Sequence, residues 1–548
     1  NQSRSWKPQE DSAGYVSIVP RHTIDYTLAE NDYVYFENGS VLRHAEYEVG
    51  FCDNTGDAAG FGDNGYGRVP YANNLHWALW YYRDGRFKWW LDRVGRSNLA
   101  APFDPAIEPV EWTDLPGAEV FELHPEVYEY TSNYADYGGE VTPPNIPLEQ
   151  CFDKIAFRES LDMDAEYFLL DGYSRGKHLQ YDGNAIIKFF ADGRDWLIDG
   201  DYLVRNTTDH NGVSVIRDGR VAELIPACAS LDAMADLPLV TLSETTVHDF
   251  NGCDWIRNIT WMKGEFVLVT DRVRANEPGD YTFVGNWKTV AEGEQRMEDG
   301  RVFVTERKGA GGVGSRDLAT VTTDGVRSVK FLANTSRLDT ALELPAGELE
   351  LTLFARGVEG GSDSFFVAID GGELIDFHIP QGRFGPSSST WNHETPTPNI
   401  TIDEAGLHRI TVSMREGPAP QVDRILVRDQ QGNTVAEIEA EAAPEVPAGL
   451  IEAAPLERFF VKSDGEPASK LTGRINHVGL QISYMRQRLG GALQPGEMRT
   501  FHTIFYNDRD AAAKEYDVRR ISDEAALVTR AGEPFMVVLT GDEVLPHG

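Results

Sequence analysis

The stretch Ala185-Ile186-Ile187-Lys188-Phe189-Phe190-Ala191-Asp192-Gly193-Arg194-Asp195-Trp196-Leu197-Ile198 decides the fold class. Two apolar runs flank an Asp-Gly pair, whose residues tolerate the positive φ of a two-residue hairpin turn. The pattern recurs where Asp218-Gly219 separates Val213-Ser214-Val215-Ile216 from Val221-Ala222-Glu223-Leu224. Further strands are expected at 254–261, 266–271 and 281–284. Short strands at this spacing predict a large antiparallel β-sandwich, its first part spanning 151–330.

Outward from that segment, residues 331–445 read as an inserted smaller β-domain. The alternating runs Leu349–Arg356 and His408–Arg415 are its clearest strands. Long strands resume at Gly479–Met485 and Met498–Tyr506, so 446–548 is expected to complete the interrupted sandwich. Upstream, 101–150 carries eight prolines and reads as a connection with one strand, Glu119–Leu123. Residues 1–100 are the only convincingly helical part. Leu75, Ala78, Leu79 and Tyr82 recur at i, i+3, i+4, i+7, and a second helical piece runs from Phe87 to Val94. Two or three helices bury their apolar faces poorly, so the chain is expected to start partway through a larger helical domain.

The 548 residues exceed what one hydrophobic core organises. Lys plus Arg number 50 and Asp plus Glu 87, a net charge of −37 that argues against a nucleic-acid partner. No apolar run reaches the roughly 18 residues of a membrane span. The balance suits an acidic protein of a secreted or periplasmic compartment, with any export signal already removed. Cys52, Cys151, Cys228 and Cys253 contain no C-x-x-C, so a cysteine zinc site is not expected; two disulfides or four buried thiols are both open.

The densest polar constellation runs from Gly172 to Asn184, followed by Trp196–Tyr202 and Thr208–Gly212. It presents His178, Asp182, Asp199, Asp201, Tyr202 and His210 at the ends of three strand segments. Imidazole and carboxylate oxygens suit a metal ion, and Tyr or His beside a cation suits proton transfer. Against this stands the simpler reading, in which the Asp residues make turns and the His before Asn caps one.

Phe152-Asp153-Lys154-Ile155-Ala156-Phe157-Arg158, Tyr167–Gly172, the segment His178 to Asp182, Gly193–Asp199 and His210-Asn211 together resemble the heparinase II/III-like family of polysaccharide lyases. The resemblance covers 150–330 well, 455–510 fairly, and 50–96 as the last helices of the family's α/α toroid. It implies a mainly β chain: a large antiparallel β-sandwich, an N-terminal partial α/α toroid and an inserted β jelly-roll domain. It also implies β-elimination in a uronate-containing polysaccharide. The family's local pattern is His-x-His-x-Asp. Aligning on Asp182 puts His178 at the catalytic His and Gln180 where a metal-binding His stands. Asp199, with Asp201 as rival, and His210 match the remaining ligands. Gln180 departs from the pattern and puts zinc in doubt, so calcium enters as an alternative. Tyr202 is the tyrosine expected to transfer protons, with Tyr181 a rival.

From the N-terminal part, Tyr33, Tyr35, His44 or Tyr47 could supply the remaining proton-transfer group. Arg83, Arg86, Lys88, Arg93 and Arg96 cluster beside Tyr81, Tyr82, Trp89 and Trp90, and could hold sugar carboxylates or sulfates. In the inserted domain Trp391, His393, Phe384 and Phe365 could stack on a sugar, since Gly406–Ile410 with Asp423–Ile425 is similar to jelly-roll carbohydrate-binding modules. The expected function is a polysaccharide lyase on an acidic polysaccharide. The rival is a non-catalytic glycan-binding or scaffold protein that keeps the sandwich, and a missing helical segment or partner chain is expected to complete the toroid.

Overall fold

The computed structural model describes residues 11–13, 16, 18–62, 74–94, 106–113, 115–133, 144–174, 181–199, 207–221, 225–290, 293–308, 318–332, 336–358, 364–371, 374–390, 399–415, 419–444, 446, 456–464, 468–475, 481–509 and 514–540. They form two compact units, one from 1–307 with 457–548, the other from 308–456.

In the first unit, helices α1 (Ile18–Glu30), α2 (Val34–Glu37), α3 (Ser40–Gly50), α4 (Leu75–Tyr82) and α5 (Gly85–Arg93) precede the sheets. The last two fall where the apolar spacing placed them, and the Asp84 carboxylate caps α5 by accepting Arg86 N at 3.0 Å. The proline-rich connection holds an unexpected helix, α6 (Pro125–Ser132). Its proline sits at the first helical position, where no donor is lost, and His124 Nδ1 accepts Glu126 N at 3.2 Å.

A ten-stranded antiparallel sheet follows the order Ala118–Glu122, Phe152–Arg158, Tyr167–Asp171, Ile186–Ala191, Arg194–Ile198, Gly279–Val290, Gln481–Leu493, Ala468–Ile475. Val213–Arg217 also pairs with Gly279–Val290, and Arg220–Val221 with Val213–Arg217. The facing eight-stranded sheet runs Glu294–Glu298, Val302–Lys308, Leu456–Ser463, Met498–Arg509, Phe266–Ala275, Cys253–Met262, Val240–Phe250, Ser230–Asp236. The two sheets share a core in which Phe157, Phe168, Phe189 and Trp287 meet Trp255, Trp261, Phe459 and Phe505. The strand at 456–463 returns after the second unit, so the sandwich is interrupted and then completed.

The helices cover the outer face of the first strands: Phe36, Tyr47, Phe51 and Trp90 pack with Phe121, Tyr167, Leu169, Ile187 and Phe190. Burial on both faces is why Ile186–Ala191 is apolar at every position but Lys188, a buried lysine paired with Asp53 at 2.5 Å, instead of alternating. Its hairpin turn has Asp192 and Gly193 at φ 54° and 71°, and Asp218 and Gly219 repeat this at 50° and 74°. A three-stranded sheet, Tyr516–Ser522, Ala525–Arg530 and Glu533–Leu539, packs on Phe266, Leu268, Ile504 and Tyr506.

The second unit has a seven-stranded and a four-stranded antiparallel sheet around Leu351, Leu353, Phe365, Val412 and Ile425. It starts before residue 331 because Leu318–Thr323 pairs with Val326–Phe331, which pairs with Gln421–Asp429 inside the unit. Phe365 is fully buried in this core, so it does not serve the sugar-stacking surface expected of it. All four cysteines are buried free thiols. No helix among the described residues is long and apolar enough to cross a membrane.

Candidate functional site

Three chain segments meet where strands of the ten-stranded sheet end. Asp182 precedes Ile186–Ala191, Asp199 follows Arg194–Ile198, and His210 follows the short 3-10 turn Thr207–Asp209. All three side chains are buried. Asp199 Oδ2 lies 2.5 Å from His210 Nδ1, and Asp199 Oδ1 accepts the Asn211 amide at 2.5 Å. The ring's other atom, Nε2, is buried without a hydrogen-bond partner among the described residues, as is Asp182 Oδ1. Burial works against charge on His210, but the charge and hydrogen bond of Asp199, with Asp182 adding, outweigh it and raise its pKa. Burial pushes Asp182 up to about 6, opposed by His210 and reinforced by Asp11 and Asp199.

The scaffold behind this pair is polar and satisfied. Asn211 Nδ2 donates to Ile186 O at 2.9 Å and Ile198 O at 3.0 Å, while its Oδ1 accepts Lys288 N at 2.5 Å. Arg257 chelates Asp271 through Nε at 2.8 Å and Nη2 at 3.0 Å. Its Nη1 donates to Asn184 O at 2.6 Å and Asn211 O at 3.0 Å. One guanidinium thus fixes the backbone beside both Asp182 and His210. The buried Lys288 ammonium donates to the Asp199 carbonyl.

Asp11, Asp171 and Asp182 form a second buried group, with one ligand atom from each within 4.8 Å of the others. Lys154 already stands there as the cation, 2.7 Å from Asp171 and 3.1 Å from Asp11, with Asp153 at 3.0 Å. An ammonium at those distances repels a metal ion, so the group is a salt-linked clasp. It draws the N-terminal segment to the sandwich, and Asp182 Oδ2 adds a bond from Gly62 N at 2.8 Å.

The metal expectation meets a geometric obstacle at Asp199 and His210. Two ligands on one zinc at about 2.0–2.1 Å and a tetrahedral angle stand about 3.3 Å apart. At 2.5 Å the two atoms share a proton, the geometry of an orienting carboxylate and its imidazole. As arranged, the pair does not fit as two ligands of one ion.

His178, Gln180, Asp201, Tyr202, Trp391 and His393 lie outside the described residues. Tyr181 is half-buried against the sandwich core. The expected basic surface on α5 is largely committed to structure. Arg86 pairs with Asp84 at 2.6 Å and lies over Trp112, Lys88 donates to Ile107 O, and Arg93 donates to Asn54 O at 3.2 Å. Arg83 is exposed at the left-handed C-cap of α4, with φ 55°. Tyr33 is half-buried and stacks on Tyr81, and Tyr35 is half-buried. Tyr47 is fully enclosed, and burial pushes its hydroxyl well above the usual range. His44 Nε2 lies 3.2 Å from Glu48 Oε1 and 3.1 Å from Asn74 Nδ2 in a buried triad. The sequence reading missed Asn211, Lys288, Arg257 and Asn74 as supports. Only Asn211 had a signal, its place beside His210.

No family model matches this chain, and no curated protein does. Solved structures do. The similarity is to heparan sulfate lyases. Heparan sulfate lyase HepC from Pedobacter heparinus matches with a TM-score of 0.44 and 12% identity, over 98% of this chain and 59% of that one. A crystal structure of heparinase III matches with a TM-score of 0.22 and 11% identity, over 74% and 63%. The C-terminal family 6 carbohydrate-binding module of a marine laminarinase from Zobellia galactanivorans matches over 23% of this chain and 99% of its own, with a TM-score of 0.17 and 14% identity. The chain spans about three-fifths of the length of the lyases it matches.

Proposed function

We propose that this chain carries the sandwich side of a polysaccharide lyase that cleaves an acidic, uronate-containing polysaccharide by β-elimination. The observation that supports it is the Asp199–His210 pair, with Nε2 left as the one ring atom for a substrate oxygen or a proton. In the reaction the C5–H bond breaks and its proton passes to a base. Its electron pair forms the C4=C5 double bond, and the C4–O bond breaks with its oxygen taking a proton. The C5 proton becomes acidic enough when the adjacent carboxylate is neutralised.

In this reading His210, oriented through Nδ1 by Asp199, meets the uronate from Nε2. His178 and Tyr202, assigned by the resemblance and close in sequence to Asp182 and Asp199, carry the proton transfers. Such a substrate lies outside cells, which agrees with a secreted or periplasmic protein. The inserted unit is assigned to glycan binding.

The test is absorbance in the ultraviolet band of unsaturated uronates, with the protein mixed with heparan sulfate, heparin, chondroitin sulfate, alginate and ulvan. The expected result is a rise on at least one of them that His210→Ala and His178→Ala both lose. No rise on any of them, with glycan binding retained, would replace this reading with a binding protein that keeps the lyase sandwich.

A further inference from the structure

The strand Gln481–Leu493 carries two arginines that the chemistry above leaves unused. Met485 and Leu489 lie in the sandwich core, so the alternate residues Tyr484, Arg486 and Arg488 face the opposite side of the sheet. There they stand across from Lys288, Asn286 and Val284 in the antiparallel register.

This outer row is continuous with the candidate site. Arg486 Nη2 donates to Thr208 O at 2.8 Å, and Tyr484 OH lies 3.4 Å from Asp209 Oδ1, on the two residues just before His210. The Arg486 guanidinium sits 5.1 Å from the Tyr484 ring centre, and the Lys288 ammonium lies 5.9 Å from the same ring.

We propose that Arg486 and Arg488 form the strip that binds an anionic substituent, carboxylate or sulfate, on the polysaccharide held beside His210. The inference rests on the lyase reading and adds which residues select substrate charge. Three observations carry it. Arg486 keeps a buried Nε with no hydrogen-bond partner among the described residues. Arg488 is exposed and makes no ion pair among the described residues. In this chain of 87 acidic and 50 basic residues, several arginines of the same unit pair with carboxylates, Arg257 with Asp271, Arg272 with Glu244, Arg301 with Asp517 and Arg520 with Asp464, whereas Arg486 turns to the backbone carbonyl of Thr208, two residues before His210.

A cation left uncompensated in a strongly acidic protein supplies the local positive field that a polyanion needs to approach. The planar guanidinium fork matches the two oxygens of a carboxylate or sulfate. Two residues apart on a strand, the two side chains start about 7 Å from each other, room for one anionic group each. Asp199 and Asp209, beside the row at the candidate site, are engaged by His210 with Asn211 and by Tyr484.

The experiment is calorimetric binding of heparan sulfate oligosaccharides of one length to the full chain, in native, desulfated and carboxyl-reduced forms. Arg488→Ala, Arg486→Gln and Arg519→Ala are compared, the last being an exposed arginine on the three-stranded sheet. Arg488→Ala removes an exposed side chain and leaves the fold intact. Its Kd for the native oligosaccharide should rise about tenfold, the worth of one charge-assisted hydrogen bond, and Arg519→Ala should leave it unchanged. Where cleavage is measurable, KM should rise with it while kcat holds.

If the desulfated form loses the difference between Arg488→Ala and the unaltered protein, the group bound is a sulfate. If the carboxyl-reduced form loses it, the group is a carboxylate. An unchanged Kd in both Arg486 and Arg488 variants, an equal loss in Arg519→Ala, or no binding by the unaltered protein would overturn the strip. Binding that depends on Arg488 without any absorbance rise would instead overturn the lyase reading and leave the strip standing.

Discussion

Asp199 grips His210 at both ends of its carboxylate: Oδ2 lies 2.5 Å from the ring Nδ1, and Oδ1 takes the following amide, Asn211 N, at 2.5 Å. The ring is thereby held in one orientation with Nε2 as its only remaining polar atom. A side chain held this way is prepared for one contact.

Asp199→Asn preserves shape and removes the charge that orients the imidazole. Turnover on whichever acidic polysaccharide is cleaved should fall by about 10²-fold, with a near-unchanged circular dichroism spectrum. The check is kcat by ultraviolet absorbance. A rise in KM at constant kcat would assign the pair to binding instead.

Arg257 supports the same place from beneath, and its removal leaves Asp271 as a buried unpaired charge. Arg257→Ala should destabilise the first unit by about 3–5 kcal/mol, read from denaturant unfolding. Replacing both partners with apolar residues, Arg257→Met with Asp271→Leu, should restore a large part of that loss. The double variant should still lack activity, because Asn184 O and Asn211 O lose their common donor.

Glu166 gives a pH prediction. Burial pushes its carboxyl up to about 7, although Trp261 Nε1 and Gly264 N both donate to Oε2. In the unfolded chain it ionises near 4.5. The folded state therefore holds the proton more tightly. This contribution is fully present below pH 4.5, falls as pH rises through the interval, and is gone above about 7. Stability should drop between about pH 4.5 and 7 by at most roughly 3 kcal/mol from this group. Glu166→Gln keeps an acceptor for both donors and should flatten that slope, as measured by melting temperature against pH.

Residues 308–456 have their own core and sheets, so the excised segment should fold unaided and melt cooperatively. Calorimetry of that fragment checks it. A broad non-cooperative transition would mean that the first unit is needed to complete it.

Much of the architecture was legible locally. Asp192-Gly193 and Asp218-Gly219 dictated their hairpins because few residue types accept two successive positive φ values. The α4 and α5 helices followed from apolar spacing, and the interruption of the sandwich from where long strands stop and resume. α6 was hidden because a proline at the first helical position is read as a breaker when only sequence is considered. The nearness of Asp182, Asp199 and His210 was readable as strand-end clustering, but not the Asp199–His210 bond.

What the sequence determined by itself is periodicity and turn chemistry, which act over a few residues and set the antiparallel sheets and the helical start. Only the tertiary structure decided which charges are answered. Arg86 and Lys88 looked like a ligand surface and are held by Asp84, Trp112 and Ile107 O, whereas Arg486, unremarkable on a strand, comes to bond the Thr208 carbonyl two residues before His210. Hydrogen bonds and ion pairs between residues such as 199 and 288, or 208 and 486, depend on the register of strands distant in sequence. No local pattern of residues encodes that register.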